Sequence, residues 1–229
     1  MARDQIRCCT GTIFFNTFIN DLLLAVKECE VCNFADDTTI KTFGKDFEDV
    51  VLSLEEDLSN TLDWFRDNHM AANPGKFQVM FLGLNEKPKF ILEINDQIIP
   101  LTEKVKLLGV TIDSQLKFDE HVKALCKNTN KKVSAFSHVA PYLNYEKGKI
   151  LYNTFIMSNF NYCPLIWMYH GKTSNNQVDR AQKRALRILH NDFDIQFEIL
   201  LERTGERKIH TKNLQKLMLY LRPKIHFTN

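Results

Sequence analysis

Apolar positions change their period along this chain. Val51, Leu54, Leu58, Leu62 and Phe65 recur at spacings of three and four, which places one stripe along a helix. Asp46 stands ahead of that stripe as a candidate N-cap. The other face, with Glu55, Glu56, Asp57 and Asp63, reads as solvated. The same spacing predicts a helix over about 119–138, through Val122, Leu125, Thr129, Val133 and Phe136, and another over about 176–190, through Val178, Ala181, Ala185 and Ile188. Residues 195–203 and 209–221 read as shorter helices. In the first half, Glu30–Phe34 and Thr38–Phe43 are rich in β-branched and aromatic residues and predict two strands about a turn. Gln78–Leu82, Phe90–Ile94, Ile98–Leu101 and Val105–Ile112 are further strand candidates. Asn95-Asp96 suggests a tight hairpin, and Asn73-Pro74-Gly75 a turn. The apolar run from Ile13 to Leu24 fits a helix or a buried strand, and periodicity does not separate the two. The whole reads as an α+β chain, mixed in its first half and helical in its second.

Charge sharpens that division. Residues 1–120 carry 12 Lys+Arg against 21 Asp+Glu, a balance of −9, and residues 121–229 carry 18 against 7, a balance of +11. With the change in pattern, this sets the expected boundary near Asp119, between regions 1–118 and 119–229. A basic half implies a polyanionic partner, most simply nucleic acid, and an acidic half is where a cation would be held. In the basic half, Lys123, Lys127 and Lys131 form one helical stripe, and Arg180, Arg184 and Arg187 form another. Such stripes suit phosphate contacts, which supply affinity without sequence information, or they are solvated helix faces.

Six cysteines in 229 residues do not resemble a secreted disulfide framework. Cys29-x-x-Cys32 has zinc-ligand spacing without a second Cys/His pair, so buried free thiols are the simpler expectation. The N-terminal residues lack the apolar core of a signal peptide, and no stretch reaches the ~20 apolar residues of a membrane span. A reducing, intracellular setting, cytoplasmic or nuclear and away from membranes, is therefore expected.

Within the acidic half, Phe34-Ala35-Asp36-Asp37 places two carboxylates side by side between apolar flanks. Neighbours in a strand point to opposite faces, so the pair shares a target only at a turn. A divalent cation such as Mg²⁺ takes oxygen ligands of this kind, and a solvated turn is the plainer reading.

The tetrapeptide resembles the catalytic box of reverse transcriptases, and the likeness continues along the chain. Phe15-Asn16-Thr17-Phe18-Ile19-Asn20-Asp21-Leu22 is similar to the segment that precedes this box in LINE-type (non-long-terminal-repeat) retrotransposon enzymes. Trp64-Phe65, Asn73-Pro74-Gly75-Lys76 and Met80-Phe81-Leu82-Gly83 resemble the next palm motif. Leu107-Leu108-Gly109-Val110-Thr111-Ile112-Asp113, with Leu116, Phe118 and His121, resembles the element after it. Asn161 to Trp167 and Gln182 to Leu189 resemble the thumb. The elements stand in family order from about Gly11 to Gly205.

The resemblance implies a partial polymerase palm, an antiparallel sheet with packed helices, over 1–118 and a mostly helical thumb over 119–229. It implies two-metal nucleotidyl transfer with Mg²⁺, with Asp36 as the principal ligand and Asp37 as the weaker one. Lys76 would lie near the nucleotide phosphates and protonate the pyrophosphate, or it is a surface lysine beside a turn. Phe34 would stand beside the primer terminus, or it is a core residue of its strand. His121 matches a family histidine and reads as a capping or core residue, and Trp64 and Trp167 as packing residues. Implied partners are RNA, DNA and RNA–DNA hybrid, with nucleoside triphosphates in the complete enzyme. The family also uses a third aspartate on an earlier strand, which neither Asp4 nor Asp21 matches, and Ile6-Arg7-Cys8-Cys9-Thr10-Gly11-Thr12 departs from the family's nucleotide-pocket pattern. The expectation is a palm-and-thumb fragment of an RNA-directed DNA polymerase that does not polymerise alone. The alternatives are a catalytically dead nucleic-acid-binding remnant with a basic thumb, and a transposon relic without a selected role.

Overall fold

The structure is a computed structural model, and it describes residues 9–84, 88, 90–94 and 97–221. The chain divides into two compact units, one formed by residues 1–78 and 90–101, the other by 79–89 and 102–229. This division falls ahead of the charge change near Asp119, because the hairpin of residues 104–113 belongs to the second unit.

In the first unit the ambiguous apolar run is helical. Helix α1 (Cys9–Ile19) continues into a 3₁₀ turn over Asn20–Leu24. A run this long exceeds an ordinary strand. Ile19 and Leu22 are buried, whereas Ile13, Phe14 and Leu24 remain exposed. Strands β1 (Glu30–Phe34) and β2 (Asp37–Lys41) follow as an antiparallel hairpin. Helix α2 (Phe47–Asp67) begins at Asp46 as expected, with the Asp46 carboxylate accepting the Glu48 N–H at 2.9 Å. Trp64 of α2 packs on Phe18 and Phe65, with ring centroids 5.6 and 5.5 Å away. Strands β3 (Leu92–Ile94) and β4 (Gln97–Ile99) pair antiparallel. Asn95 and Asp96, expected to turn that hairpin, lie outside the described residues.

The second unit opens with β5 (Lys104–Leu107) and β6 (Val110–Asp113). The expected single strand Val105–Ile112 is therefore a hairpin. Leu108 and Gly109, both at positive φ (46° and 83°), make the two-residue turn. Gln78–Leu82, also expected as a strand, joins no ladder beyond an isolated bridge at Val79. Helices α3 (Asp119–Val139), α4 (Tyr145–Leu151), α5 (Ser158–Asn161), α6 (Pro164–Trp167), α7 (Lys172–His190), α8 (Phe197–Thr204) and α9 (Ile209–Leu221) complete the unit. A π-helical segment, Tyr152–Met157, joins α4 to α5 and turns Tyr152, Ile156 and Met157 into the core. Val122, Val133 and Phe136 of α3 meet Val178, Ala181 and Ala185 of α7 in one buried cluster, as their spacing predicts. Asp119 bonds Ser174 at 2.6 Å and Ser134 bonds Arg184 at 3.2 Å, so α3 and α7 run in the same direction. Gly148 lets α4 approach α7, since a Cβ there would stand 3.0 Å from Leu189.

The protein is thus a mixed α+β chain with small antiparallel sheets. Among the described residues the strands form three separate two-stranded hairpins, where one antiparallel sheet was expected. Strands of three to five residues satisfy only their hairpin partner, and helix α2 intervenes between the first pair and the others.

Candidate functional site

The aspartates sit where the turn reading places them. β1 and β2 pair Glu30 with Lys41, Cys32 with Thr39 and Phe34 with Asp37. The two-residue turn is Ala35-Asp36, with φ of 55° at Ala35 and no positive φ at Asp36. That pattern belongs to a type II′ turn, in which the first position usually holds glycine. Period-two alternation sends Val31 and Asn33 to the half-buried face and leaves Glu30, Cys32 and Phe34 on the open one. Asp37 shares the open face with Phe34, its cross-strand partner, and both Asp36 and Asp37 are exposed. Phe34 is 66% exposed, which overturns the core alternative for it. The Lys41–Glu30 ion pair, 2.7 Å, closes the far end of the same face.

Two adjacent, exposed carboxylates fit a hard cation such as Mg²⁺ in donor type and charge. Among the described residues no group of three His, Cys, Asp or Glu side chains is arranged to hold a metal ion. Lys76 ends a 3₁₀ turn over Pro74–Lys76, set by Asn73, whose side chain accepts the Gly75 N–H at 3.1 Å. It is exposed, and no hydrogen bond or ion pair joins it to Asp36 or Asp37 among the described residues.

Asp57 corrects the expectation of a solvated α2 face. It is fully buried, and its carboxylate accepts the backbone N–H groups of Lys27 (2.9 Å), Glu28 (2.7 Å) and Cys29 (2.7 Å). Burial alone would raise its pKa. The three backbone donors outweigh that and hold the carboxyl below the ordinary carboxylate value. The signal was in the sequence: Asp57 lies three residues after Leu54 and four before the buried Thr61, on the stripe itself.

Cys29 donates its thiol to the Ser53 carbonyl at 3.4 Å. Burial, and then hydrogen bonding to the neighbouring Asp57 and its charge, push that thiol up to about 11, which is unfavourable for the thiolate a metal needs. Cys126 is buried as expected, but Cys32 is exposed and Cys163 half-buried.

The basic stripes meet in the second unit. Lys123, Lys127, Lys131, Arg180 and Arg184 are exposed, and Arg187 is half-buried. Arg184 donates to Ser134 Oγ, and Ser134 lies three, seven and eleven residues from Lys131, Lys127 and Lys123, on one helical face. The two stripes therefore share one side of the α3–α7 pair. None of the six is ion-paired with an acidic side chain among the described residues. Arg187 instead points to the Ile195 carbonyl, 3.4 Å away.

The β5–β6 element is organised by Asp113. It accepts N–H groups from Gln115 (3.2 Å), Lys117 (3.0 Å) and Phe118 (2.7 Å), fixing the loop in which Leu116 and Phe118 take positive φ before α3. Burial raises its pKa, and the backbone donors bring it below the ordinary value. His121 is buried, its Nδ1 accepting the Thr111 N–H at 3.3 Å, and burial lowers its pKa. It is a core residue at the wall of a cavity of about 510 Å³, which Lys106, Asn128, Asn159 and Tyr162 also line. Trp167 is buried, and its indole N–H bonds the Tyr162 carbonyl at 2.9 Å, a packing role as expected.

No helix among the described residues is long and apolar enough to cross a membrane. Each unit thus offers its own candidate site, the exposed Asp36-Asp37 turn in the first and the basic two-helix face in the second; comparison with protein-family models, curated proteins and solved structures finds no match to the chain.

Proposed function

We propose that this chain is a palm-and-thumb piece of an RNA-directed DNA polymerase of LINE-type retrotransposon origin. The reading is carried by the hairpin: two adjacent carboxylates on a tight turn, exposed, with Phe34 beside Asp37 on the open face. Asp36 and Asp37 would hold Mg²⁺, and divalent cations in such a centre lower the cost of forming an attacking alkoxide and of releasing pyrophosphate. The chain's own part is to present the two carboxylates together, to offer Phe34 as an apolar surface for a base or sugar, and to grip the phosphates of an RNA–DNA hybrid with α3 and α7. Lys76 is the candidate proton donor to the leaving group.

A second reading, a nucleic-acid-binding protein without catalysis, is favoured by one observation. The Arg184–Ser134 bond joins two basic stripes that have no acidic partner among the described residues, without involving the hairpin.

Both readings are tested on the full chain. Mn²⁺, used as a paramagnetic probe, is expected to broaden the amide resonances of Phe34–Asp37, and D36A to abolish the effect. A fluorescent RNA–DNA hybrid is expected to bind with strong salt dependence. Binding of hybrid without any Mn²⁺ effect at the hairpin would leave only the second reading, and absence of both would end the two together. Primer extension by the chain alone, with Mg²⁺ and all four nucleotides, is expected to be absent; extension that disappears in D36A would overturn the expected dependence on further parts.

A further inference from the structure

We propose that Asp57 is a positioning residue for the Asp36-Asp37 turn: its buried carboxylate ties the Lys27–Cys29 backbone to α2 and so sets where the β1–β2 hairpin stands. The inference rests on the reading of that turn as a cation site.

The hairpin has little else to hold it. No residue of β1 or β2 is fully buried, and even the inward Val31, Asn33 and Ile40 are only half-buried. Packing alone therefore fixes it weakly. The chain leading into it, residues 25–29, forms no regular element, and β1 starts at Glu30, immediately after the third amide that Asp57 binds.

Asp57 lies mid-helix, where its carboxylate cannot cap α2. Its acceptor capacity is spent on the loop, with Asn60 Nδ2 adding a 3.4 Å contact to Oδ1. No lysine or arginine side chain pairs with it among the described residues; three backbone donors offset the buried charge. Cys29 adds a second tie, its thiol reaching the Ser53 carbonyl one turn earlier on α2. A strand is stiff over five residues, so fixing Cys29 against α2 fixes the line along which Phe34, Ala35 and Asp36 emerge. Asn in place of Asp keeps the shape but replaces one acceptor oxygen by an amide donor facing backbone N–H groups.

The test uses the full chain and two readouts by NMR, amide exchange and Mn²⁺ broadening. In the wild type, the amides of Lys27, Glu28 and Cys29 are expected to open together with those of β1 and β2, as one unit. D57N is expected to speed exchange across residues 27–41 and to weaken Mn²⁺ at the turn, each by about tenfold, while α2 amides at Leu54 and Leu58 keep their protection. D57E, which restores an acceptor-only carboxylate, is expected to recover part of the Mn²⁺ response.

Wild-type Mn²⁺ affinity and unchanged hairpin exchange in D57N would overturn the proposal. If D57N does not fold, the wild-type measurement decides: Lys27–Cys29 amides that exchange freely while the hairpin stays protected also overturn it. Faster hairpin exchange in D57N, in a protein whose wild type shows no Mn²⁺ effect, would sustain the latch and remove the cation reading.

Discussion

Arg184 of α7 donates to Ser134 Oγ of α3 at 3.2 Å, across fifty residues of sequence. Two basic stripes that are separate in the chain thereby become one face. Because Arg187 is half-buried and turned toward Ile195, that face has Lys123, Lys127, Lys131, Arg180 and Arg184 as its exposed cations.

Nucleic-acid affinity should therefore depend steeply on salt. Each phosphate contact removed lowers the slope of log affinity against log salt by about one unit. Changing Arg180, Arg184 and Arg187 together to Ala should flatten the slope by about two units, since Arg187 contributes little. Anisotropy titrations at several salt concentrations measure this. A triple variant with the wild-type slope would mark the stripe as a solvated face.

Acid should destabilise the protein through Asp57 and Asp113. Asp57 is buried and Asp113 half-buried, and this desolvation raises their pKa, yet backbone donors bring each below its ordinary value. The unfolded chain then binds protons at higher pH than the folded one. The stabilisation is complete above the unfolded carboxylate pKa of about 3.9 and is lost as pH falls through the lowered folded values. Denaturation followed between neutral pH and pH 2 should show this loss, and D57N and D113N should each reduce it. D113N should also cost about 2 kcal/mol at neutral pH, because the backbone N–H donors of Gln115, Lys117 and Phe118 lose a charged acceptor.

Gly109 sits at φ 83° in the β5–β6 turn, and a Cβ there would meet only Tyr162 Cε1, at 3.7 Å. Space is sufficient, so the cost of Gly109→Ala is backbone strain, about 1–2 kcal/mol. Urea denaturation should report it as a lower midpoint with an unchanged slope.

Thiol reactivity should separate the Cys29-x-x-Cys32 pair. Cys32 is exposed, whereas Cys29 and Cys126 are both pushed up to about 11, chiefly by burial. At pH 8 an alkylating reagent should modify Cys32 well before either of them, with peptide mapping as the readout. Equal rates at Cys29 and Cys32 would show that the Ser53 and Asp57 contacts do not persist in solution.

The β1–β2 hairpin, α2 with its Asp46 cap, and the α3 and α7 stripes were legible because each follows from local order. A period of two or of 3.6 selects the element, and a short polar side chain ahead of a helix caps it. The strand expected over Val105–Ile112 failed for a local reason that was visible: Leu108-Gly109 interrupts it, and glycine at positive φ reverses the chain. Phe34 went the other way, since a strand gives alternate faces without saying which face is covered.

Sequence order by itself determined the β1–β2 hairpin, helices α2, α3 and α7, the charge contrast between the halves and the adjacency of Asp36 and Asp37, all of which are properties of neighbours along one chain. Tertiary structure alone decided that the Lys27–Cys29 backbone is what meets Asp57, that Phe34 stays exposed, and that Ser134 and Arg184 unite two stripes. It also decided that the strands of the described residues close as three hairpins instead of one sheet. Those outcomes depend on which backbone donors and apolar faces meet after folding, and a one-dimensional pattern carries the demand for a partner without the partner's address.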